Sequence, residues 1–153
     1  MRTKRVGCIV IDLKACYRKL RPYKYQLMRE LTMVITIAPD TDIETSYLKL
    51  TREGVLTVKV GYAWDGPSGP TIDTLTFMRA SLVHDVLYQL MRLQHLDYRL
   101  YRKYADDLLR EMCLADGMNP VRAWYVHRAL RWFGAPNARP QVFASPVIIC
   151  APR

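Results

Sequence analysis

The spacing of hydrophobic residues divides the chain into two parts with different predicted structures. Up to residue 62, apolar residues form β-branched or alternating runs, which are typical of strands. Beyond that point the period changes from two to about 3.6, which is the spacing of one helix face. A run of strands followed by a run of helices predicts an α+β fold, with an N-terminal antiparallel sheet packed by C-terminal helices.

The clearest element of the predicted sheet is a β-hairpin at residues 46–62. Two alternating runs flank a turn at residues 52–54, where Gly54 can adopt the positive φ that such turns often need. In the second run, Leu56, Val58 and Val60 are expected on the same face of the sheet.

Two earlier segments are expected to add strands. Residues 5–13 are rich in β-branched side chains and look like a first strand. Residues 24–38 fit either a strand or a short helix followed by a strand, because their end is β-branched. Pro39, Asp40 and Asp42 then break the chain before the hairpin.

The first of three predicted helices begins near Asp73 or Thr74, because either residue can cap it. His84 lies near the middle of its apolar face. Asp85 lies about a quarter-turn away, at the edge of that face. The residues expected on the face are Phe77, Ala80, His84, Leu87, Tyr88 and Met91.

The second helix is predicted from about Asp97 to Ala115, and the third begins after Asn119 and ends before Gly134. Proline at the first turn of the third helix supports its start. The apolar face of the second helix comprises Tyr98, Tyr101, Ala105, Leu108, Leu109 and Met112, and the third helix carries Val121, Trp124, Tyr125, Arg128 and Trp132.

The composition fits one domain with its own hydrophobic core. The chain has 153 residues, half of them hydrophobic, which argues against global disorder. Residues 1–134 are predicted to form this domain, and the prolines of residues 135–153 predict a tail that is either extended and packed along the domain or mobile. No run is apolar enough to span a bilayer, and the basic start fits a strand better than a signal peptide.

The net charge of +9 is uneven, and residues 1–30 hold nine Lys or Arg against two acids. Such a segment can meet an acidic partner, including nucleic acid. No nucleic-acid-binding motif accompanies it, so a solvated basic surface is favoured. The four cysteines form no C-x-x-C pair, which argues against a zinc finger and favours reduced thiols in a cytosolic protein.

A loop rich in glycine and proline joins the predicted sheet to the first helix. Trp64 and Asp65 end a strand, and Gly66 and Ser68 belong to a run whose two glycines and two prolines restrict its shape. This loop fits a binding site, with Asp65 as a candidate catalytic carboxylate. The spacing matches no phosphate-binding fingerprint, so a rigid connector is the simpler interpretation.

His84 and Asp85 are the central candidates for chemistry, although adjacency alone does not make them a dyad. Neighbouring residues on a helix point about 100° apart, so the partner of His84 is expected from Asp65 or from Asp106. Asp106 is a candidate because 84–91 and 105–112 share the frame x-Asp-x-Leu-x-x-x-Met. In an antiparallel helix pair, Asp85 and Asp106 can approach one seam.

Three interpretations of this cluster stay open at this point. His84 with a carboxylate can act as a general base. His84 and Asp85 can contribute to a divalent metal site, which needs further ligands. The cluster can also be a buried polar network without catalysis, and this structural interpretation is favoured.

The segments YAWDGPSGPTIDT, RASLVHDVLYQLMR and YRKYADDLLREMCLADGM resemble the bacteriophage and prophage family of domain of unknown function 1353. The resemblance covers roughly residues 45–134. It implies a small, soluble, phage-encoded protein and supplies no mechanism. The positions that it carries over are Trp64, Asp65, Gly66, Ser68, His84, Asp85, Tyr88 and Asp106.

Two functions are therefore compared below. The favoured one is a virion component or host-factor-binding protein, located in the host cytoplasm or virion, in which the polar cluster is structural. The alternative is a small hydrolase-like enzyme, with or without a divalent metal. Its catalytic candidates are His84, Asp65, Asp85 and Asp106, its binding candidates are Trp64, Gly66, Ser68 and Tyr88, and its metal candidates are His84 and Asp85.

Overall fold

A computed structural model of the chain describes residues 14–19, 24–66 and 74–141. The predicted first strand at residues 5–13 lies outside the described residues, as do Ser68, Asp73 and most of the predicted tail. The described part confirms the α+β prediction, with strands in the N-terminal half and helices in the C-terminal half.

The strands form two small antiparallel sheets, where the sequence predicted a single sheet. One sheet has the order β1-β2-β7, and the other has the order β3-β6-β5-β4. Every pairing in both sheets is antiparallel. The strands are β1 (Tyr17–Lys19), β2 (Tyr25–Leu27), β3 (Leu31–Val34), β4 (Ile43–Glu44), β5 (Leu48–Leu50), β6 (Val55–Val58) and β7 (Ala63–Trp64).

The segment 24–38 contains two strands that belong to different sheets, and the alternative with a short helix is wrong. Leu27 ends β2 and accepts a hydrogen bond from the amide of Gly61, while its own amide donates to Tyr62. Leu31 then starts β3 and pairs with Val58. The chain therefore changes sheets between Leu27 and Leu31.

The predicted hairpin is present as β5 and β6, and Gly54 in its turn has φ of +82°. Leu56 and Val58 are fully buried, as expected from the alternation. Val60, which the alternation placed on the same face, is instead 52% exposed. The reason is that β6 ends at Val58, and the chain turns at Gly61, where φ is +96°.

The helices begin at the predicted capping residues, although Thr74, the N-cap residue of the first helix, makes no side-chain capping hydrogen bond. They are α1 (Leu75–Arg92), α2 (Tyr98–Ala115), α3 (Pro120–Phe133) and a short α4 (Ala135–Ala138). The Asp97 side chain caps α2 by accepting from the amide of Arg99, and Asn119 caps α3 by accepting from Val121. None of the described helices is long and apolar enough to cross a membrane.

Helix α1 is the central element of the helical layer. The predicted face from Phe77 to Met91 is buried, but so are Leu82, Val83 and Val86 on other sides. The helix is therefore enclosed on most of its circumference and is not a surface helix with one apolar face. Helix α2 packs against α1 through the predicted face around Ala105, Leu108 and Met112.

An ion pair between the buried Arg79 and the partly exposed Asp116 joins the start of α1 to the end of α2. The guanidinium of Arg79 donates from Nε and Nη2 to the two carboxylate oxygens of Asp116, at 3.0 and 2.6 Å. Asp116 is the C-terminal capping residue of α2. Removal of Asp116 would leave the buried Arg79 without its counter-charge.

The described part of the predicted tail, residues 135–141, begins with a short helix that the sequence did not predict. Helix α4 packs on α1, Ala138 is fully buried, and Asn137 accepts a hydrogen bond from Arg92. Short helices of this kind have no periodicity to detect, because one turn places too few apolar residues on a face.

Candidate functional site: a buried histidine–aspartate cluster

Asp106 is the centre of a polar cluster that joins α1, α2 and α3. Its side chain is fully buried. Oδ1 accepts hydrogen bonds from His84 Nε2 at 2.9 Å and from the Tyr88 hydroxyl at 2.7 Å. Oδ2 accepts from Arg131 Nη1 at 2.9 Å. One carboxylate on α2 is thus bound by two side chains of α1 and one of α3.

Arg102 extends the cluster to the C-terminal end of α3. Its Nε lies 3.9 Å from Asp106 Oδ2, and its Nη2 donates to the backbone oxygens of Leu130 and Arg131 at 2.7 and 2.8 Å. A cation is favourable there because the last carbonyl groups of a helix carry partial negative charge. Arg102 therefore has two roles. It helps to neutralise the buried carboxylate of Asp106, and it donates hydrogen bonds to the last carbonyl groups of α3.

The surroundings of Asp106 favour its charged form. Burial would raise the pKa of this carboxyl, but the hydrogen bonds from His84, Tyr88 and Arg131 outweigh burial and lower the pKa below its ordinary value. For His84, burial would lower the pKa, but Asp106 and Asp85 together raise it. The surroundings of the pair therefore favour the charged form of each group.

Asp85 lies on the other side of the His84 ring. Its Oδ1 is 4.0 Å from His84 Nδ1, too far for a hydrogen bond but close enough for charge attraction. The side chain of Asp85 is 31% exposed. As helical geometry predicted, the hydrogen-bonded partner of His84 is not its neighbour in sequence. Of the two expected partners, the structure brings Asp106 to the ring and leaves Asp65 away from it.

Tyr88 packs against the His84 ring, and the ring centroids are 4.1 Å apart. Its hydroxyl also lies under Gly134, where a Cβ would sit 2.9 Å from the hydroxyl oxygen and 2.6 Å from the backbone oxygen of Leu130. Gly134 therefore has a packing role besides ending α3. Burial and the carboxylate of Asp106 raise the pKa of Tyr88, so its hydroxyl stays a donor.

The loop after β7 is separate from the cluster as far as it is described. Trp64 is buried against Tyr17 and Tyr25, with ring centroids 5.7 and 5.6 Å away. Asp65 is exposed and makes no hydrogen bond or ion pair with other described residues. Gly66 has φ of +74°, which explains glycine there.

The described side chains around His84 do not form a set of metal ligands. Within residues 14–19, 24–66 and 74–141, no group of three His, Cys, Asp or Glu side chains is arranged to hold one. The oxygens of Asp106 are occupied by N–H and O–H donors, and Arg102 and Arg131 place two positive charges beside them. A cation at this position would be repelled.

Arg102 and Arg131 were not predicted to belong to the cluster, and Gly134 was predicted only to end α3, not to pack against Tyr88. Arg102 precedes Asp106 by four residues on one helix, which is a spacing that brings side chains together, so a signal for this pair existed. The contact of Arg131 with Asp106 depends on how α3 packs, and nothing in the local sequence indicates it.

A second histidine–aspartate pair lies nearer the surface, between α2 and α3. His127 Nε2 donates to Asp107 Oδ1 at 2.7 Å, and Lys103 also contacts Asp107. Asp107 follows Asp106 directly, but it points about 100° away around the helix and is partly exposed. The pair connects the same two helices from their outer side.

The outer face of α3 carries large apolar side chains that the described part of the chain does not cover. Helical spacing places the five side chains that the sequence singled out on α3 on one side of the helix, and the helix packs inward through Ala123, Val126 and Leu130. The exposed fractions are 73% for Val121, 51% for Trp124, 41% for Tyr125, 70% for Trp132 and 74% for Phe133.

The fold and the cluster define an α+β protein whose helices are joined around a buried His84–Asp106 pair. The family model described as "Protein of unknown function (DUF1353)" matches residues 42–130. This is more than half of the chain, and the chain belongs to that family. The searches of curated proteins and of solved structures returned no match.

Proposed function

We propose that this protein is a non-catalytic binding protein, encoded by a phage or prophage, that acts as a virion component or attaches to a host factor. The phage association rests on the sequence resemblance. The binding role rests on the outer face of α3, here defined as Val121, Trp124, Tyr125, Arg128 and Trp132, with Phe133 at its end.

The exposed area of this face carries the proposal. Aromatic side chains of these sizes with the stated exposed fractions present on the order of 500 Å² of apolar surface. That is as large as the largest apolar patch of a typical monomer, and such patches often bind partners. Tryptophan, tyrosine and arginine are also the residues that most often dominate binding energy at protein interfaces.

The buried cluster also supports a non-catalytic role, because its geometry does not suit general-base catalysis. A general base needs a ring nitrogen that can reach substrate, but His84 is buried, with Nε2 bonded to Asp106 and Nδ1 facing Asp85. Every polar group of Asp106 is used within the fold. This geometry is that of a network that orients helices.

Site-specific photo-crosslinking tests the binding role. A photoreactive benzoyl-phenylalanine would replace Ala129, which is exposed at the edge of the outer face, and Glu53 in the β5–β6 turn would serve as the control position. In the cell that encodes the protein, we expect one discrete crosslinked protein from position 129 and none from position 53. Equal, diffuse products from both positions would contradict the proposal.

The alternative is a small hydrolase-like enzyme, and one observation favours it. The fully buried Asp106 holds His84 through Nε2, as a positioning carboxylate holds a catalytic histidine, and Asp85 beside the ring is partly exposed. This alternative predicts that Asp85→Asn removes hydrolysis of ester or phosphoester substrates while the protein stays folded. If the wild-type protein hydrolyses none of these substrates, the hydrolase alternative is wrong.

A further inference from the structure

We infer that the partner of the outer face of α3 is an acidic protein segment, which lies along the helix and places carboxylates near Arg128. This inference rests on the proposed binding function and adds the chemistry of the partner. It follows from the charge of α3, from the shape of its exposed stripe and from the poor fit of a two-fold interface with a second copy of this chain.

Helix α3 is basic along its whole length. Residues 120–133 contain three arginines and one histidine and no acid. Arg131 is bound to Asp106, and His127 is bound to Asp107, so these two side chains are engaged within the fold. The positive charge of Arg131 is largely compensated there.

Arg128 differs from Arg131 and His127 in this respect. Within the described part of the chain, no carboxylate lies at ion-pair distance from it, and its guanidinium instead lies over the Trp124 ring, 5.7 Å from the centroid. A stacked guanidinium keeps its N–H donors at the edge of the plane. Arg128 is therefore oriented to bind a carboxylate that arrives from outside.

The shape of the stripe fits an elongated partner. Val121, Trp124, Arg128 and Trp132 recur at intervals of three or four residues, and they span about 16 Å of the helix axis at 1.5 Å per residue. An amphipathic helix or extended segment laid along α3 can contact all of them. Its apolar residues would meet the aromatic rings, and its acids would meet Arg128.

A second copy of this chain fits less well. A two-fold interface places the same face against itself, so that Arg128 of one copy would approach Arg128 of the other. Because α3 contains no acid, nothing on this face would neutralise the two charges. An acidic partner has the complementary charge.

Two pools of synthetic peptides test the inference. Both pools would contain peptides of about 15 residues, long enough to span the stripe, with Leu, Phe and Trp at the same helical spacing. One pool would carry Asp and Glu at the other positions, and the second would carry Lys and Arg. Fluorescence anisotropy would measure binding to the full-length protein.

We expect the acidic pool to bind at least about tenfold more tightly than the basic pool, and to weaken as salt is added. Arg128→Glu should reverse the preference, and Arg128→Gln should reduce it without reversal. Arg110→Glu, an exposed charge reversal on α2, is the matched control and should leave the preference unchanged. Circular dichroism would show that all three variants are folded.

Several outcomes would overturn the inference. Tighter binding of the basic pool, or no binding of either pool, would exclude an acidic segment. Stronger binding to phosphatidylglycerol vesicles or to single-stranded oligo-dT would assign the face to a lipid surface or a nucleic acid. A dimer in sedimentation that Trp132→Ser dissociates would assign it to a second copy.

The crosslinking at position 129 separates this inference from the proposed function. If a discrete protein is crosslinked and the acidic pool does not bind, the partner chemistry is wrong and the binding function stands. If neither experiment gives a signal, both are wrong.

Discussion

Asp106 and Asp107 are neighbours on α2 and each bonds a histidine, yet their surroundings are opposite. The Asp106 side chain is 0% exposed and receives hydrogen bonds from three side chains on two other helices. The Asp107 side chain is 36% exposed, accepts a hydrogen bond from His127 and forms an ion pair with Lys103. Although the residue types are the same, Asp106 is therefore the centre of a buried network, whereas Asp107 belongs to a surface ion pair.

This contrast explains what each pair can contribute to stability. A buried charge that loses its partners keeps its full desolvation cost, because water cannot replace them. A partly exposed charge that loses its partner is rehydrated, and salt already screens it. The predictions below compare the two sides of the α2–α3 contact on this basis.

The largest effect is expected from Asp106→Ala. This change leaves His84, Tyr88 and Arg131 in the interior without their common acceptor, and it should lower the free energy of unfolding by about 3–5 kcal/mol. Urea unfolding followed by circular dichroism measures the difference. A loss below about 1 kcal/mol, comparable to that of a surface pair, would contradict the structural role of the cluster.

Gly134→Ala is expected to have the next largest effect. The added Cβ would lie 2.6 Å from the Leu130 oxygen and 2.9 Å from the Tyr88 hydroxyl, so the backbone or Tyr88 must move. We expect a loss of about 1–3 kcal/mol, as for other overpacked sites. Gly117→Ala is the control, because it introduces backbone strain without a steric clash. The φ angle of Gly117 is +86°, and no atom lies within 4 Å of the added Cβ.

The pH dependence of stability should report on His84. Its pKa is raised in the folded protein, so its contribution is complete below the unfolded pKa of about 6.5 and is lost as pH rises through the folded pKa. The pKa of Asp106 is lowered, so its contribution is present above about pH 4 and is lost as pH falls.

Thermal unfolding between pH 5 and pH 9, a window of about four pH units around the ordinary histidine pKa, measures this dependence. We expect Tm to fall towards the alkaline end in the wild-type protein. His84→Gln keeps an N–H donor for Asp106 but does not titrate, so its curve should be flatter. The same alkaline decline in both proteins would assign the decline to other groups.

The smallest effect is expected from Asp107→Ala. It removes the surface pair with His127, and the exposure of Asp107 limits the loss to less than about 1 kcal/mol. The loss should shrink further in 0.5 M salt, where the screening length falls to roughly 4 Å. A loss equal to that of Asp106→Ala would mean that burial does not distinguish the two pairs.

Much of the fold was predictable from local features. Asp97 and Asn119 mark the helix starts because their side chains bind the first amides, and Gly54 marks the hairpin turn because it can take a positive φ. These features act within a few residues. The exposure of Val60 also has a local cause, since the strand ends before the turn at Gly61.

The candidate site was predictable only in part, because it depends on how helices pack. The sequence left Asp65 and Asp106 as alternative partners of His84, and the packing of α2 on α1 selects Asp106, which is 22 residues away. Arg131 reaches the same carboxylate from α3, across 25 residues. Which face of α3 would be buried could not be predicted, because the large residues lie outward and small Ala123 and Val126 lie inward.

The central claim is that the buried cluster holds the fold while the outer face of α3 makes the contacts. The most direct test is the crosslinking yield from position 129 in two folded variants, Tyr88→Phe in the cluster and Trp124→Ser on the face. We predict a yield near wild type for Tyr88→Phe and a yield reduced at least about tenfold for Trp124→Ser, since centrally placed tryptophans often dominate binding. A lost yield in Tyr88→Phe with an unchanged yield in Trp124→Ser would contradict the account.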